Sequence, residues 1–494
     1  MTVRMTSALT LLLLGSLVCD AADARRPNVL FLVSDDLNNV LGCYGDPQID
    51  TPNLDALAAR GVRFDRAYCT FPLCGPSRNC FLTGLYPNST GILGNGQVFR
   101  QTIPKQQSLP QIFRNSGYFA ARIGKLFHYN VPSSVGTNGH DDPASWELEM
   151  NPAGVDRLQE ESQIFSLIPN QFGATLSWHA SPKPDAFHTD ALMADDAEWV
   201  LERCAKRKDR PFFLGVGFFR PHTPYVAPKP YFDLYKQDQM HVVLQVKEDL
   251  VDIPAASLAS GKKEQDQMSD EQRRQARQAY YASISFMDAQ VGRIVGTLDR
   301  LGLADNTIIV FTSDHGYHLG EHGLWQKMSL FEESARVPLL IVAPGITAKG
   351  KVATSPVSHV DIFPTLAELC GVKPPDNLQG QNLVPLLKDC SLTGRGWAIT
   401  QVTRGNGQNR FFGYSLRTPR FRYTEWDEGK QGRELYDHDV DARELTNLAE
   451  LPASANTVEE LAQQLRTAIK ATFPASGKTP EIQPGIWAPN LTHP

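Results

Sequence analysis

Short unbroken runs of apolar residues recur along the chain, and most of them stop abruptly at polar or titratable residues. Asn28-Val29-Leu30-Phe31-Leu32-Val33-Ser34 is the first and is followed at once by Asp35 and Asp36. Phe212 to Phe218 is a second, followed by Arg220-Pro221-His222, and Thr307 to Thr312 is a third, followed by Ser313-Asp314-His315-Gly316. Val337 to Ala343 is a fourth. Runs of this length without alternation predict strands buried on both faces. Ligands of open α/β sheets bind beyond the carboxyl ends of the strands. Asp35, Asp36, His222, Asp314 and His315 therefore stand where chemistry is expected.

Helical patterns lie between these runs. Thr51-Pro52 begins one that runs to Arg60 and stops at Gly61, with proline early and glycine past the end. The longest begins at Ser269, where Ser269-x-x-Gln272 reads as a capping box. Tyr280, Ile284, Met287, Val291, Ile294, Leu298 and Leu301 make one apolar face along it, read as core packing, and Gly302 ends it. Asp361 to Cys370 is another helix. Alternating buried strands and helices predict an α/β fold with a large, mainly parallel sheet. After about residue 390 the texture changes. Tyr414 to Arg417 and Phe421 to Trp426 look like half-exposed strands, and a final helix covers Val458 to Ala471. The expected division is an α/β domain over residues 25–390 and a smaller C-terminal α+β subdomain over 391–494. The polar, irregular stretch from Val131 to Asn170 reads as a surface loop, with a substrate-side insertion as the alternative.

Composition narrows the class. Of 494 residues 41% are hydrophobic and 21% charged, as in ordinary globular proteins, and the net charge of −6 argues against nucleic acid or acidic lipid as partner. Arg4, the apolar run Ala8 to Val18 and Ala22-Asp23-Ala24 have the layout of a secretory signal peptide over residues 1–24. This implies a secreted or periplasmic protein, or a lysosomal one in a eukaryote. No later segment is long and apolar enough to span a bilayer. Without Cys19 seven cysteines remain, an odd number for an oxidising compartment, which suggests that one is special. Cys69, Cys74 and Cys80 lack the spacing and the histidines of a zinc site. Asn88-Ser89-Thr90 is a glycosylation sequon.

One cluster of residues is specific. Cys74-Gly75-Pro76-Ser77-Arg78, followed by Leu82-Thr83-Gly84, resembles the C-x-P-x-R…T-G signature of type I sulfatases of the alkaline phosphatase superfamily. Asp35-Asp36, Gly124-Lys125-Leu126-Phe127-His128, Pro221-His222, Ser313-Asp314-His315-Gly316 and Trp325-Gln326-Lys327 follow that family's order. Gly124-Lys125-x-Phe127-His128, Leu319-Gly320-Glu321-His322-Gly323 and Gly413-Tyr414-Ser415-x-Arg417-Thr418 are most similar to iduronate-2-sulfatases.

The resemblance implies a sheet sandwiched by helices and a sulfuric ester hydrolase. Cys74 would be oxidised to formylglycine by a formylglycine-generating enzyme. One hydroxyl of its hydrate would attack sulfur, and loss of the second hydroxyl's proton would release sulfate. Asp35, Asp36, Asp314, His315 and the Cys74-derived residue would hold one divalent ion per subunit. Hard carboxylate oxygens suit calcium, or magnesium, better than a soft metal. Arg78, Lys125 and Lys327 would clamp the anion, His128 would act as base, and His222 as acid to the leaving alcohol. Gly75 departs from the hydroxyl or alanine common after the cysteine. The implied substrate is a sulfated carbohydrate carrying a 2-O-sulfated uronate, with Lys327 or Arg220 available to its carboxylate. The alternatives are a phosphonate or phosphate ester hydrolase of the same superfamily and a non-catalytic protein that binds sulfated sugar.

Overall fold

The computed structural model describes residues 26–243 and 249–483. The leader read at residues 1–24 lies outside them. Eight strands form the main sheet: β1 (Asn28–Asp35), β2 (Val62–Phe64), β3 (Phe119–Gly124), β4 (Leu148–Met150), β5 (Phe212–Pro221), β6 (Thr307–Ser313), β7 (Leu339–Val342) and β8 (Lys351–Ala353). Their spatial order is β8-β2-β7-β6-β1-β5-β3-β4. β1 sits centrally, parallel to both β5 and β6, and only β7 runs against its neighbours. The run read as one strand from Val337 to Ala343 is in fact divided. Arg336–Val337 pairs with Ala67–Tyr68 in a separate small sheet, and Leu339–Val342 joins the main one. Pro338 stands at the break, with no N–H for either ladder.

Side chains alternate across β1, so the sheet has a core on each face. Leu30 and Leu32 pack with α1 (Pro52–Arg60), α3 (Thr189–Lys206) and α4 (Asp270–Arg300). Val29, Phe31 and Val33 pack with α2 (Cys74–Thr83) and α5 (Ile362–Leu369). The α4 stripe from Tyr280 to Leu298 is fully buried, and Ser269 caps that helix by accepting from the Gln272 N–H. The stretch 131–170 is not a plain surface loop. Asp141, Asp142, Ser145 and Trp146 are buried in it, and Asp141 pairs with Arg122 of β3. The sequon is unsuited to glycosylation in the folded protein, because Asn88 is buried with its amide nitrogen bonded to Thr472 (2.8 Å) and Tyr414 (3.1 Å).

Four antiparallel strands, β9 (Ala398–Arg404), β10 (Phe411–Arg417), β11 (Phe421–Trp426) and β12 (Arg433–Asp437), form the C-terminal sheet, backed by α6 (Ala455–Ala471). The first of them docks on the main body, where Gln401 N–H donates to Thr70 O (2.9 Å) and Thr400 Oγ1 to Cys69 O (2.7 Å). A buried ion network adds to this contact. Arg422 donates to both Glu332 and Glu444, and His438 Nε2 lies 2.8 Å from Glu444 Oε1. Burial alone would raise the Glu444 carboxyl, but Arg422 outweighs it and holds the group at about 2. A folded-state value below the unfolded one adds stability that is complete above the unfolded value and lost as pH falls through the folded one. Between about 4.5 and about 2 the urea midpoint of the native protein should therefore fall with pH, and Glu444→Gln should make that slope shallower.

Candidate active site

The carboxyl ends of β1, β3, β5 and β6 converge on the first turn of α2. Asp35 ends β1 and Asp36 follows, Asp314 and His315 follow β6, Lys125 and His128 follow β3, and His222 follows β5. Cys74 is the first residue of α2, a ten-residue helix buried along its whole length. The positive end of that helix thus faces the sulfur. All these side chains are buried, Cys74 to within 1%.

Cations surround the sulfur. Lys327 Nζ is 3.3 Å and His315 Nε2 3.4 Å from Cys74 Sγ, and Lys327 Nζ also meets Asp36 Oδ1 at 2.5 Å. Lys125 Nζ donates to Asp35 Oδ2 at 2.6 Å. Burial would raise the Cys74 thiol, but Lys125, Lys327 and His315 together hold it well below the ordinary thiol value. Burial raises every other cysteine thiol, Cys43, Cys69, Cys80, Cys204, Cys370 and Cys390. These six and Cys74, the seven cysteines among the described residues, are all unpaired. The odd count therefore does not single out Cys74; its charge environment does.

Arg78 is fully engaged by protein acceptors. Its Nε donates to Asp314 Oδ2 (2.9 Å), Nη2 to Asp35 Oδ1 (3.1 Å) and Ser34 O (3.4 Å), and Nη1 to Leu126 O (3.3 Å) and Lys125 O. In this arrangement Arg78 organises the carboxylates, and Lys327 and His315 touch the sulfur. His128 donates from Nε2 to Asn130 Oδ1 (3.1 Å), leaving Nδ1 without a hydrogen-bond partner. Burial lowers its pKa. His222 Nδ1 lies 2.6 Å from Thr223 O, and its Nε2 is 3.8 Å from Asp36 Oδ2.

Several contributors gave no readable signal in the sequence. Tyr280, expected only as core, donates to Asp36 O at 2.7 Å. Asn95 accepts the Gly75 N–H at 2.8 Å, and a Cβ on Gly75 would stand 2.9–3.1 Å from Asn95 and Gly94. The glycine after the cysteine thus matches the close approach of that loop. Ser77 lies inside the motif and donates to Asp314 O. Arg220, considered for substrate binding, is instead buried against Asp156 at 2.5 Å and does not line the cavity bounded by His128, His222 and Lys327.

A family model described as Sulfatase matches residues 27–372, and a second, described as N-sulphoglucosamine sulphohydrolase, C-terminal, matches residues 320–471. The chain belongs to the sulfatase family. A Formosa agariphila protein named Sulfatase is 33% identical over 92% of this sulfatase and 88% of its own length. Homo sapiens iduronate 2-sulfatase is 30% identical over 81% of this chain and 84% of its own. The crystal structure of a phosphonate monoester hydrolase of Agrobacterium radiobacter superposes with a TM-score of 0.76 at 24% identity, covering 91% of this chain and 96% of that one, which shows the shared fold.

The sulfatase family implies a metal ion, and the side chains here fit one. Asp36, Cys74, Asp314 and His315 bring their ligand atoms within 4.8 Å of one another. Burial lifts the Asp314 carboxyl to about 7, although His315 and Arg78 pull it down. His315 Nδ1 is tied to Gly316 O at 2.9 Å, which aims Nε2 at the other donors. Asp36 is held at φ 64°, a left-handed conformation that a non-glycine residue keeps only when its surroundings enforce it. Its N–H donates to Asp314 Oδ1 at 3.1 Å. Asp35 lies beside this group with both oxygens bonded to Arg78 and Lys125. Two oxygen donors from aspartates with one imidazole suit a hard divalent cation.

Chelation should lower Tm as well as activity, and calcium or magnesium should restore both. At 100 times Kd, bound ion adds about 2.7 kcal/mol, read by thermal unfolding. A second test concerns Gly217 of β5, where a Cβ would stand 1.8 Å from Lys125 O. Gly217→Ala should cost about 1–3 kcal/mol by urea unfolding and reduce sulfate release. Gly215→Ala, whose Cβ would meet the Leu126 side chain at 3.3 Å, should cost less.

Proposed function

We propose that this sulfatase removes sulfate from a sulfated carbohydrate, through a formylglycine made from Cys74 and a calcium or magnesium ion held by Asp35, Asp36, Asp314, His315 and the Cys74-derived oxygen. The finer substrate is the 2-O-sulfate of a uronate in polysaccharide degradation. The observation that carries the reading is the Cys74 position itself. It lies at a helix N-terminus between Lys125, Lys327 and His315, next to a cavity of about 700 Å³ with no acidic side chain in its lining among the described residues. Similarity to iduronate 2-sulfatase supports the uronate.

The ion and the hydrated aldehyde would supply Lewis acidity and a nucleophilic oxygen. The chain's own groups supply the rest. Lys327 and Lys125 present fixed positive charge toward the sulfate oxygens in a site shielded from water, where preorganised charge acts strongly. His128, kept neutral by burial and with Nδ1 free, is ready to take a proton at Nδ1. His222 donates from Nδ1 to Thr223 O, so Nε2 is its free nitrogen, and the protonated ring would pass a proton from Nε2 to the leaving alcohol. A secreted, periplasmic or lysosomal location follows from the leader at residues 1–24, and maturation requires a formylglycine-generating enzyme.

Sulfate release from a non-reducing-end 2-sulfated uronate, by protein whose Cys74 is shown by mass to be oxidised, tests the proposal. Cys74→Ala should lower kcat by at least about a thousandfold, in line with loss of a covalent nucleophile, with Tm nearly unchanged. The kcat/KM should be higher on sugar sulfates than on aryl sulfates or phosphonate monoesters. Equal values on aryl and sugar sulfates would overturn the carbohydrate assignment, and a preference for phosphonates would overturn the sulfatase one.

A further inference from the structure

The cavity beside the site has two further cations in its wall besides Lys327. Lys262 and Arg404 line it together with His128, His222 and Lys327. Resting on the proposed sulfatase reading, we infer that Arg404 and Lys262 form a second anion-binding position in this cavity, which takes another negative group of the substrate: a uronate carboxylate or a second sulfate.

Arg404 is the last residue of β9 and is only 8% exposed. No carboxylate lies within 4.0 Å of its guanidinium among the described residues, where most buried arginines of this protein are paired. A buried cation without a counter-ion is costly, and a binding site is one place where that cost is tolerated. The guanidinium donates from Nε to Ala256 O (2.8 Å), from Nη2 to Met328 O (2.8 Å) and from Nη1 to Thr403 O (3.2 Å). Two of its five N–H groups remain. The bonds to Ala256 and Met328 fix the plane of the group, as recognition of a planar carboxylate requires.

Lys262 contributes the second cation. Its Nζ has one acceptor, Ala174 O, leaving two N–H groups, and no carboxylate lies within 4.0 Å of it among the described residues. Burial lowers its pKa, Glu264 opposes this, and the charges of Lys327 and Asp36 are felt there as well. The second position is thus electrostatically joined to the sulfate end. The other basic groups nearby are already committed, Lys327 to Asp36 and Cys74, and Arg220 to Asp156. A cationic ester such as choline sulfate would meet only positive charge here.

The test compares three substrates: a 2-sulfated uronate, the neutral 2-sulfated hexose, and a disulfated hexose. In the native protein kcat/KM should favour each two-anion substrate over the neutral one. Lys262→Gln should reduce that preference about tenfold, as expected for loss of one charged hydrogen bond, and Lys262→Glu should reverse it. Arg404→Lys should act in the same direction, but Arg404 also stacks on Trp426 at 4.9 Å, so Lys262 is the deciding position. A preference unchanged within about twofold in both Lys262 variants would overturn the inference. Loss of uronate turnover in the native protein, with the disulfated sugar still preferred, would remove the uronate assignment and leave the second anion position standing. Binding of the same three ligands to Cys74→Ala protein gives the corresponding Kd ratios independently of turnover, and these should shift in the same sense.

Discussion

Everything at the site depends on one buried guanidinium. Arg78 is fully enclosed, and its five N–H groups join the end of β1, the turn after β6 and the segment after β3. These are the strand ends that bring Asp35, Asp314 and Lys125 to the sulfur. A planar fork can bond two carboxylates and three carbonyls in one plane, which a lysine ammonium cannot do. Removing it would strip Asp314 of its guanidinium partner and leave Asp35 to Lys125 alone, and breaking a buried pair costs about 3–5 kcal/mol in comparable cases. That is a large share of the stability of an ordinary domain. The position of Arg78 four residues after Cys74, on the same face of α2, means that one helix carries both Cys74 and the group that holds the acids around it.

The charges also explain why the site is built for an anion. Asp35, Asp36 and Asp314 face Arg78, Lys125 and Lys327, so the acids and the permanent cations balance. A divalent ion among the aspartates would leave two positive charges in a buried place. A bound sulfate ester carries one negative charge and the released sulfate two. The thiol reports the permanent cations alone: Cys74, unlike the other described cysteines, is drawn below its ordinary pKa because Lys125, Lys327 and His315 outweigh its burial. Fixed charge of this kind needs no rearrangement as the reaction proceeds, which is the main source of electrostatic catalysis.

Much of this was legible in the sequence because it rests on local rules. Continuous apolar runs marked β1, β5 and β6, and the polar residues past their ends are ones the fold gathers around Cys74. The Ser269 cap and the α4 stripe behaved as periodicity and capping predict. The failures are equally physical. Val337–Ala343 looked continuous because hydropathy does not register the missing N–H of Pro338. Residues 131–170 read as a loop because Asp141, Asp142 and Ser145 are polar, yet they are buried by partners distant in sequence, such as Arg100 and Arg122. Asn95, Lys262 and Arg404 could not be found at all. A lone amide or cation gains meaning only from what the fold brings beside it.

Lys327 shows how far that long-range dependence goes. It is flanked by Gln326 at φ 76° and Met328 at φ 74°, two non-glycine residues in the left-handed region, each costing of the order of 1–3 kcal/mol. Such a turn persists only if its surroundings hold it. Gln326 Nε2 donates to Ala174 O (2.9 Å), the Met328 N–H donates to Pro72 O (3.2 Å), and the Met328 carbonyl accepts from Arg404 (2.8 Å). Pro72 lies two residues before Cys74, and Arg404 belongs to the C-terminal sheet. The C-terminal sheet therefore helps to fix the lysine that touches the sulfur. Arg422, deeper in the same sheet, grips Glu332 just beyond that turn. The smaller subdomain is thus one of the supports that keep Lys327 Nζ between Asp36 and Cys74, and loss of its docking should release the clamp before the main sheet is disturbed.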